Sequence, residues 1–91
     1  MQWKLFADLA EAAEGRTVDV DIAPGQTVGD ALDALLSDRP ALRDRVLDDD
    51  GEVREHINVV RNGNNVHHES GLDTQLEPGD ELALFPPVTG G

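Results

Sequence analysis

One strongly amphipathic stretch, residues 27–36, does most to limit the folds open to this chain. Its apolar residues fall at offsets 0, 3, 4, 7 and 8, namely Val28, Ala31, Leu32, Leu35 and Leu36. This spacing places all five on one face of an α-helix. Thr27 precedes the run as an N-cap, Asp30 takes the third helical position, and Pro40 ends the helix. The sequence therefore predicts one main helix whose single apolar face packs on another layer.

Apolar and polar residues alternate on both sides of this helix, as they do in half-buried β-strands. The alternation predicts strands at residues 2–7, 16–22, 57–61, 65–67 and 81–85. Asn62-Gly63, between the third and the fourth, is the dipeptide that most strongly favours a tight hairpin turn. This order predicts an α+β domain, in which a mixed sheet of four or five strands packs on one helix and keeps its other face open to a partner.

Shorter segments carry weaker local signals. Asp8 stands three residues before Glu11, which is the spacing of a capping box, and Gly15 follows as a C-cap. A short helix is therefore expected to begin after Asp8 and to end at Gly15. Further along, an irregular segment is expected to be anchored in the core by Leu72 and Leu76.

The composition limits the function more than the fold. A chain of 91 residues suffices for one domain. It contains no cysteine, which excludes a disulfide, a thiolate metal site and a nucleophilic thiol. Its net charge of −12 would repel the phosphates of nucleic acid. Such a surface suits a salt-rich, halophilic cytoplasm, where salt screens the repulsion between acidic side chains.

No part of the sequence resembles a targeting or membrane segment. The start, Met1-Gln2-Trp3-Lys4, lacks the basic region and the long apolar run of a signal peptide. No apolar stretch approaches the length that spans a bilayer. We therefore expect a cytoplasmic protein that does not act at a membrane.

The sequence is poor in catalytic residues. The only imidazoles are those of His56, His67 and His68. Two of these are adjacent, so in a strand they would point to opposite faces and could not bind one metal ion together. Acidic residues are plentiful, but they fall in turns and on helix surfaces, and no phosphate-binding glycine loop is present. We expect neither a metal site nor catalytic residues of the protein's own.

The segment after the last strand has a different character. Pro86 and Pro87 favour a stiff, extended path away from the domain. Gly90 and Gly91 have no side chain and fit a channel too narrow for other residues. The reactive group that remains is the terminal carboxylate of Gly91, which another enzyme must activate before a thiolate, a sulfur donor or a lysine amine can attack it. We divide the chain into a domain, residues 1–85, and an exposed tail, residues 86–91.

Several segments resemble known families. Residues 79–91, 56–63 and 27–32 together resemble the MoaD family, the small sulfur-carrier subunit of molybdopterin synthase. The opening, residues 3–10, and the acid-rich, lysine-poor composition are similar to the ubiquitin-like small archaeal modifier proteins of haloarchaea, which share the MoaD/ThiS type of β-grasp domain. The resemblance covers nearly the whole chain, and the ending is its most specific part.

The resemblance implies a ubiquitin-like β-grasp fold with a flexible diglycine tail. It implies a protein modifier that is acted on by other enzymes: an E1-like enzyme, using ATP and magnesium, adenylates Gly91 and joins it by an isopeptide bond to lysines of target proteins. The carrier itself binds no cofactor. Gly91 can also become a thiocarboxylate and carry sulfur. A desampylating metalloprotease that removes the modifier is a further implied partner.

Two alternatives remain open. The chain can be a dedicated sulfur carrier, serving either transfer-RNA thiolation or molybdenum cofactor biosynthesis as the non-catalytic small subunit bound to the molybdopterin synthase large subunit. It can also be a noncovalent interaction domain that uses its open sheet face. The activating enzyme is expected to recognise the segment that leads to the diglycine, which consists of Phe85, Pro86, Pro87, Val88 and Thr89. Lys4 is the candidate acceptor if chains form.

Overall fold

The structure, a computed structural model, describes residues 1–23 and 25–86. The predictions for the tail at Pro87, Val88, Thr89, Gly90 and Gly91 lie outside the described residues. Five strands form one sheet: β1 (Gln2–Leu5), β2 (Thr17–Asp19), β3 (Asn58–Arg61), β4 (Asn64–Asn65) and β5 (Glu81–Phe85). The α-helices are α1 (Ala7–Ala13), α2 (Val28–Asp38) and α3 (Arg43–Val46). Three 3₁₀ turns complete the description, at Pro40–Leu42, Val66–His68 and Gly71–Asp73.

The sheet is mixed, with the strand order β2-β1-β5-β3-β4. The first and last strands pair in parallel, with Lys4 opposite Ala83 and Leu5 opposite Leu84. The other neighbouring pairs are antiparallel. The strand that leads to the tail, β5, therefore lies in the centre of the sheet. This arrangement confirms the predicted α+β β-grasp fold.

The main helix begins where the sequence predicts. The hydroxyl of Thr27 accepts a hydrogen bond from the backbone N–H of Asp30 at 3.2 Å, and the Asp30 carboxylate accepts one from the backbone N–H of Thr27 at 3.0 Å. These two bonds form a capping box, which satisfies amide groups that have no partner inside the helix. All five apolar residues of the predicted stripe are buried.

The core lies between α2 and the inner face of the sheet. Trp3 is fully buried at its centre, and its indole N–H donates to the backbone carbonyl of Ala31 in α2 at 3.0 Å. This bond satisfies the one polar group of a large buried side chain. Leu5, Leu82 and Leu84 pack in the same cluster. Strands β1 and β5 are thus held against α2 by apolar contact and by one specific hydrogen bond.

The first helix differs from its prediction at both ends. The helix starts at Ala7, its N-cap is Phe6, and no side chain caps it. Asp8 lies inside the first turn, because the chain turns sharply at Ala7, whose φ is +52°. The Asp8 carboxylate instead accepts a hydrogen bond from Arg45 at 2.9 Å. At the other end Glu14, with φ +59°, takes the left-handed conformation that was expected of Gly15.

Three other predictions need correction. The second strand is shorter than predicted, Thr17–Asp19, and the fourth is only Asn64–Asn65. The chain leaves the sheet there because the Asn65 side chain accepts a hydrogen bond from the backbone N–H of His67 at 2.9 Å and caps a 3₁₀ turn. Leu76 is buried as predicted, whereas Leu72 is 38% exposed.

Candidate functional site: the open sheet face and the start of the tail

The sheet has one face that the helices leave open. Side chains alternate between the two faces of a strand, so the neighbours of the buried Trp3, Leu5, Leu82 and Leu84 point away from α2. These neighbours are partly or fully exposed: Lys4, Asn58, Val60, Ala83 and Phe85. Gln2, Asp19 and Glu81 alternate in the same way and are exposed. The open face therefore combines apolar side chains with amides, carboxylates and one amine, a mixture that suits contact with another protein.

An aromatic pair lies on this face at the end of β5, directly before Pro86. Leu5, the last residue of β1, is the partner of Leu84 in the parallel ladder, so the residues that follow them, Phe6 and Phe85, lie side by side. Their ring centroids are 4.5 Å apart and their planes meet at 8°. They are 40% and 37% exposed. Pro86 follows at once, so the chain departs from the central strand directly beside two accessible rings.

Lys4 occupies the same face, one row away from the aromatic pair. Its ammonium group lies 3.8 Å from the carboxylate of Glu81. Both side chains are well exposed, so this ion pair contributes at most about 1 kcal/mol. The amine of Lys4 is therefore accessible, as its role as a candidate acceptor requires.

A groove borders the pair on the side of α1. Its volume is about 710 Å³, and its lining includes Lys4, Phe6, Ala7, Glu11 and Arg16. The sharp turn at Ala7 shapes this border, because β1 ends at Leu5 and the chain turns into α1 directly after Phe6. The open face thus has a concave edge beside the start of the tail.

A polar cluster around the buried Asp80 fixes the beginning of β5. The Asp80 carboxylate accepts hydrogen bonds from the Arg61 guanidinium at 2.7 Å, from the Asn62 amide at 2.8 Å and from the backbone N–H of Glu77 at 2.8 Å. The Asn62 side-chain oxygen accepts in turn from the backbone N–H of Glu81 at 2.9 Å. These bonds tie the β3–β4 hairpin to the strand that leads to the tail.

The same cluster sets the pKa of Asp80. Burial acts to raise this pKa, but the hydrogen bonds from the Glu77 N–H, Arg61 and Asn62, together with the charge of Arg61, outweigh it. The pKa of Asp80 therefore lies below its ordinary value of 3.8. The pKa of Arg61 is raised, first by its hydrogen bond to Asp80. The carboxylate and the guanidinium are both charged near neutral pH and stabilise each other.

The structure brings together some of the predicted site residues. Phe85 and Pro86 lie at the exit of the tail, and Lys4 lies on the same face. Sequence reasoning missed Phe6, although its alternation with Leu5 and a parallel pairing of the first and last strands would have placed it beside Phe85. Within residues 1–23 and 25–86, no group of His, Asp and Glu side chains is arranged to hold a metal ion.

The prediction that the two adjacent histidines lie in a strand was wrong. His67 lies in a 3₁₀ turn and not in a strand. No helix in the described ranges is long and apolar enough to cross a bilayer.

A mixed five-stranded sheet that covers one main helix, with its central strand leading into the C-terminal segment, defines a ubiquitin-like β-grasp protein. Comparison with known proteins places it more closely. The sequence matches the ThiS family over residues 3–91, and the chain belongs to that family. Carriers of this family are non-catalytic and bind no cofactor, and the enzyme that activates them uses ATP.

Individual relatives agree with this placement. The chain is 59% identical to small archaeal modifier protein 1 of Haloferax volcanii over 91 residues, which is the whole of both chains. The crystal structure of that protein superposes with a TM-score of 0.90, and the match covers 100% of this chain and 98% of the other. The chain is thus a homologue of a small archaeal modifier protein, in the class of ubiquitin-like modifiers and sulfur carriers.

A more distant solved structure has the same fold within an assembly. A chain in the crystal structure of the BexX/CysO complex of Amycolatopsis orientalis is 25% identical to this one. The TM-score is 0.82, and the match covers 99% of this chain and 98% of the other. In that structure, a domain of this fold is part of a complex with another protein.

Proposed function

We propose that the carboxylate of Gly91 is the reactive group of this protein. An E1-like enzyme adenylates it, and an isopeptide bond then joins it to lysines of target proteins. The same carboxylate also carries sulfur as a thiocarboxylate. The observation that carries the proposal is that the central strand β5 runs into the tail beside the exposed Phe6–Phe85 pair, on a face suited to contact with an enzyme.

The chemistry requires an enzyme because a carboxylate is a poor electrophile. Attack of the Gly91 carboxylate on the α-phosphate of magnesium-bound ATP forms an acyl-adenylate and releases pyrophosphate. A lysine amine then forms the C–N bond of the isopeptide, either directly with release of AMP or after transfer to an enzyme thiol. When sulfide-level sulfur attacks the carbonyl of the acyl-adenylate instead, a C–S bond forms, AMP leaves, and Gly91 ends in a thiocarboxylate.

The activating enzyme recognises both the tail and the open face. Phe6 and Phe85 supply the apolar contact at the base of the tail, and Val88 and Thr89 add contacts along it. Proline favours an extended path, so we expect Pro86 and Pro87 to let Gly91 reach about 20 Å beyond Phe85, at roughly 3.3 Å per residue. Without side chains, Gly90 and Gly91 enter a narrow active-site channel.

Deleting Gly90 and Gly91 tests the modifier function. The deletion lies beyond β5, so the melting temperature of the domain should not change. Lysine-linked conjugates in cells should disappear, and a Leu72→Ala chain with its tail intact should still form them. Conjugates that persist after the deletion would overturn the proposal.

A dedicated sulfur carrier is the second candidate, favoured by membership of the ThiS family. In this function the chain serves the large subunit of molybdopterin synthase or transfer-RNA thiolation. Mass spectrometry separates the two functions. A dedicated carrier shows an oxygen-to-sulfur exchange at Gly91 and leaves no Gly-Gly remnants on the lysines of other proteins, whereas a modifier leaves them.

A noncovalent interaction domain is distinguished by the same deletion, because it would keep its function without Gly90 and Gly91. The similarity to small archaeal modifier proteins supports two further parts of the proposal. The protein acts in the cytoplasm, where ATP is available for its activation, and a metalloprotease cleaves the isopeptide bond and releases the modifier. The net charge of −12 argues against nucleic acid as a partner.

A further inference from the structure

Lys4 lies within the surface that the activating enzyme has to cover. We propose that attachment of a second copy of this chain to Lys4 prevents the activation of Gly91 in the same domain. This proposal rests on the proposed function above. Beyond that function, it makes Lys4 a modification site, a second copy of this chain the modifying group, and single activated domains the units from which chains are built.

The sheet register fixes how close Lys4 is to the base of the tail. The Cα atom of Lys4 is paired with that of Ala83 on the neighbouring strand, and Phe85 lies two residues further along β5. Neighbouring strands lie about 4.8 Å apart and a strand rises about 3.4 Å per residue. The backbones of Lys4 and Phe85 are therefore separated by about 8 Å.

A protein–protein contact of ordinary size cannot avoid this position. Such an interface buries about 800 Å² on each partner, which corresponds to a disc about 16 Å in radius. A footprint centred on Phe85 therefore includes Lys4, and it extends to Thr17, which is paired with Lys4 on β2. A polypeptide attached to Lys4 would emerge from inside the buried interface, about halfway between its centre and its rim.

The amine is free to react. The Lys4 side chain is 46% exposed, and within residues 1–23 and 25–86 its ammonium group forms one ion pair, with Glu81 at 3.8 Å. In the reaction, the deprotonated amine attacks the activated Gly91 carbonyl of a second chain. A C–N bond forms, the bond to the adenylate oxygen breaks, AMP leaves, and the proton of the amine passes to solvent.

Lys4 is the only lysine in the sequence. Every lysine-linked chain between copies of this protein must therefore pass through the open face. In a Lys4-linked dimer, one domain has already used its Gly91, and the other carries an acyl group on Lys4. If that group blocks activation, neither domain can be activated, and the dimer is not transferred to a target as a unit. Chains then grow on a target by addition of single activated domains.

The absence of cysteine from the sequence allows a direct test with single-cysteine variants. Lys4→Cys and Thr17→Cys place a thiol on the open face. Asp33→Cys is the matched control, because Asp33 is an exposed residue of α2 on the opposite side of the sheet. Each thiol is joined through a maleimide to a polypeptide about the size of this domain. Activation is measured as ATP–pyrophosphate exchange by the activating enzyme, with and without the adduct.

The adduct at position 4 or 17 should lower the exchange rate at least about tenfold, a loss equivalent to about 1.4 kcal/mol of binding. The adduct at position 33 should leave the rate nearly unchanged. Equal rates for the adducts at positions 4 and 33 would overturn the inference and leave the proposed function standing. If the unmodified chain supports no more exchange than a chain without Gly90 and Gly91, the proposed function fails and the inference fails with it. If Lys4→Cys lowers exchange before any adduct is attached, Lys4 itself contacts the enzyme. The inference is then tested by the exchange rates of Thr17→Cys with and without its adduct: equal rates would overturn it.

Discussion

The rings of Phe6 and Phe85 stack at 4.5 Å, with an angle of 8° between their planes, at the point where the last strand passes into the tail. One ring comes from the end of β1 and the other from the end of β5. The parallel pairing of these two strands brings the rings together. Because the pair remains exposed, it contributes less to the stability of the core than a buried pair would, and it is available for contact with another protein.

Replacing either ring should lower both the rate of activation and the stability of the domain. We expect Phe6→Ala or Phe85→Ala to lower the free energy of unfolding by about 1 to 2 kcal/mol, since each side chain is only partly buried. The rate of ATP–pyrophosphate exchange with the activating enzyme should fall at least about tenfold, as it does for aromatic anchors at interfaces. Urea denaturation and exchange assays measure the two effects separately.

Leu72→Ala is the matched control, because Leu72 is 38% exposed and lies in the 3₁₀ turn Gly71–Asp73, which packs near the start of α2. This change should leave exchange unaltered. If both aromatic variants are activated at the wild-type rate, the pair is not part of the docking surface. A double-mutant cycle should find about 0.5 to 1.5 kcal/mol of coupling between the two rings in the folded domain.

The two predicted caps give a second test. Thr27→Ala removes the hydroxyl that accepts from the Asp30 N–H, and it should lower the free energy of unfolding by about 1 kcal/mol. Asp8→Ala should change it by less than about 0.5 kcal/mol, because Asp8 caps no helix and its ion pair with Arg45 is exposed. Thermal or urea denaturation of the two variants measures the difference. Equal losses would contradict the assignment of the capping box.

These two positions show what the sequence could predict. Around Thr27 the cap and the apolar spacing agree, so α2 was predicted correctly. The order of strands and main helix along the chain was also correct, and the Asn62-Gly63 dipeptide lies at the β3–β4 hairpin as expected. Around Asp8 the local pattern was equally regular, but the backbone turn at Ala7 moved the helix start and made the capping pattern irrelevant. Leu72 was misplaced for a similar reason, since hydrophobicity alone does not show which leucine of an irregular segment reaches the core. The Phe6–Phe85 contact required knowledge of strand pairing, which no local pattern contains.

The turn at Ala7 gives a third test. Ala7 has φ +52°, a conformation that costs roughly 1 kcal/mol for residues with a Cβ atom, and its side chain is exposed. Ala7→Gly removes this strain and adds entropy to the unfolded chain, so stability should stay the same or rise by up to about 1 kcal/mol. Ala12→Gly, in the last turn of α1 and partly buried against the core, should instead lower stability by about 1 kcal/mol. A loss as large at Ala7 as at Ala12, measured by denaturation, would contradict the left-handed turn.

The polar cluster at the start of β5 predicts a pH dependence. The folded pKa of Asp80 lies below its ordinary value of 3.8, so its contribution to stability is complete above that value and is lost as the pH falls through the folded pKa. Asp80→Asn removes this charge and leaves the largely buried Arg61 with only Glu69, at 3.3 Å, as its charged partner. Near neutral pH the variant should be less stable by about 2 to 4 kcal/mol.

The difference between wild type and Asp80→Asn should stay constant from neutral pH down to about pH 5, and it should shrink below about pH 4 as the wild-type carboxylate gains a proton. Urea denaturation of both proteins across this range measures it. Asp73→Asn is the control, since Asp73 is exposed and its replacement should change stability by less than about 0.5 kcal/mol. A difference at Asp80 that persists undiminished to about pH 2 would show that its charge does not stabilise the start of β5.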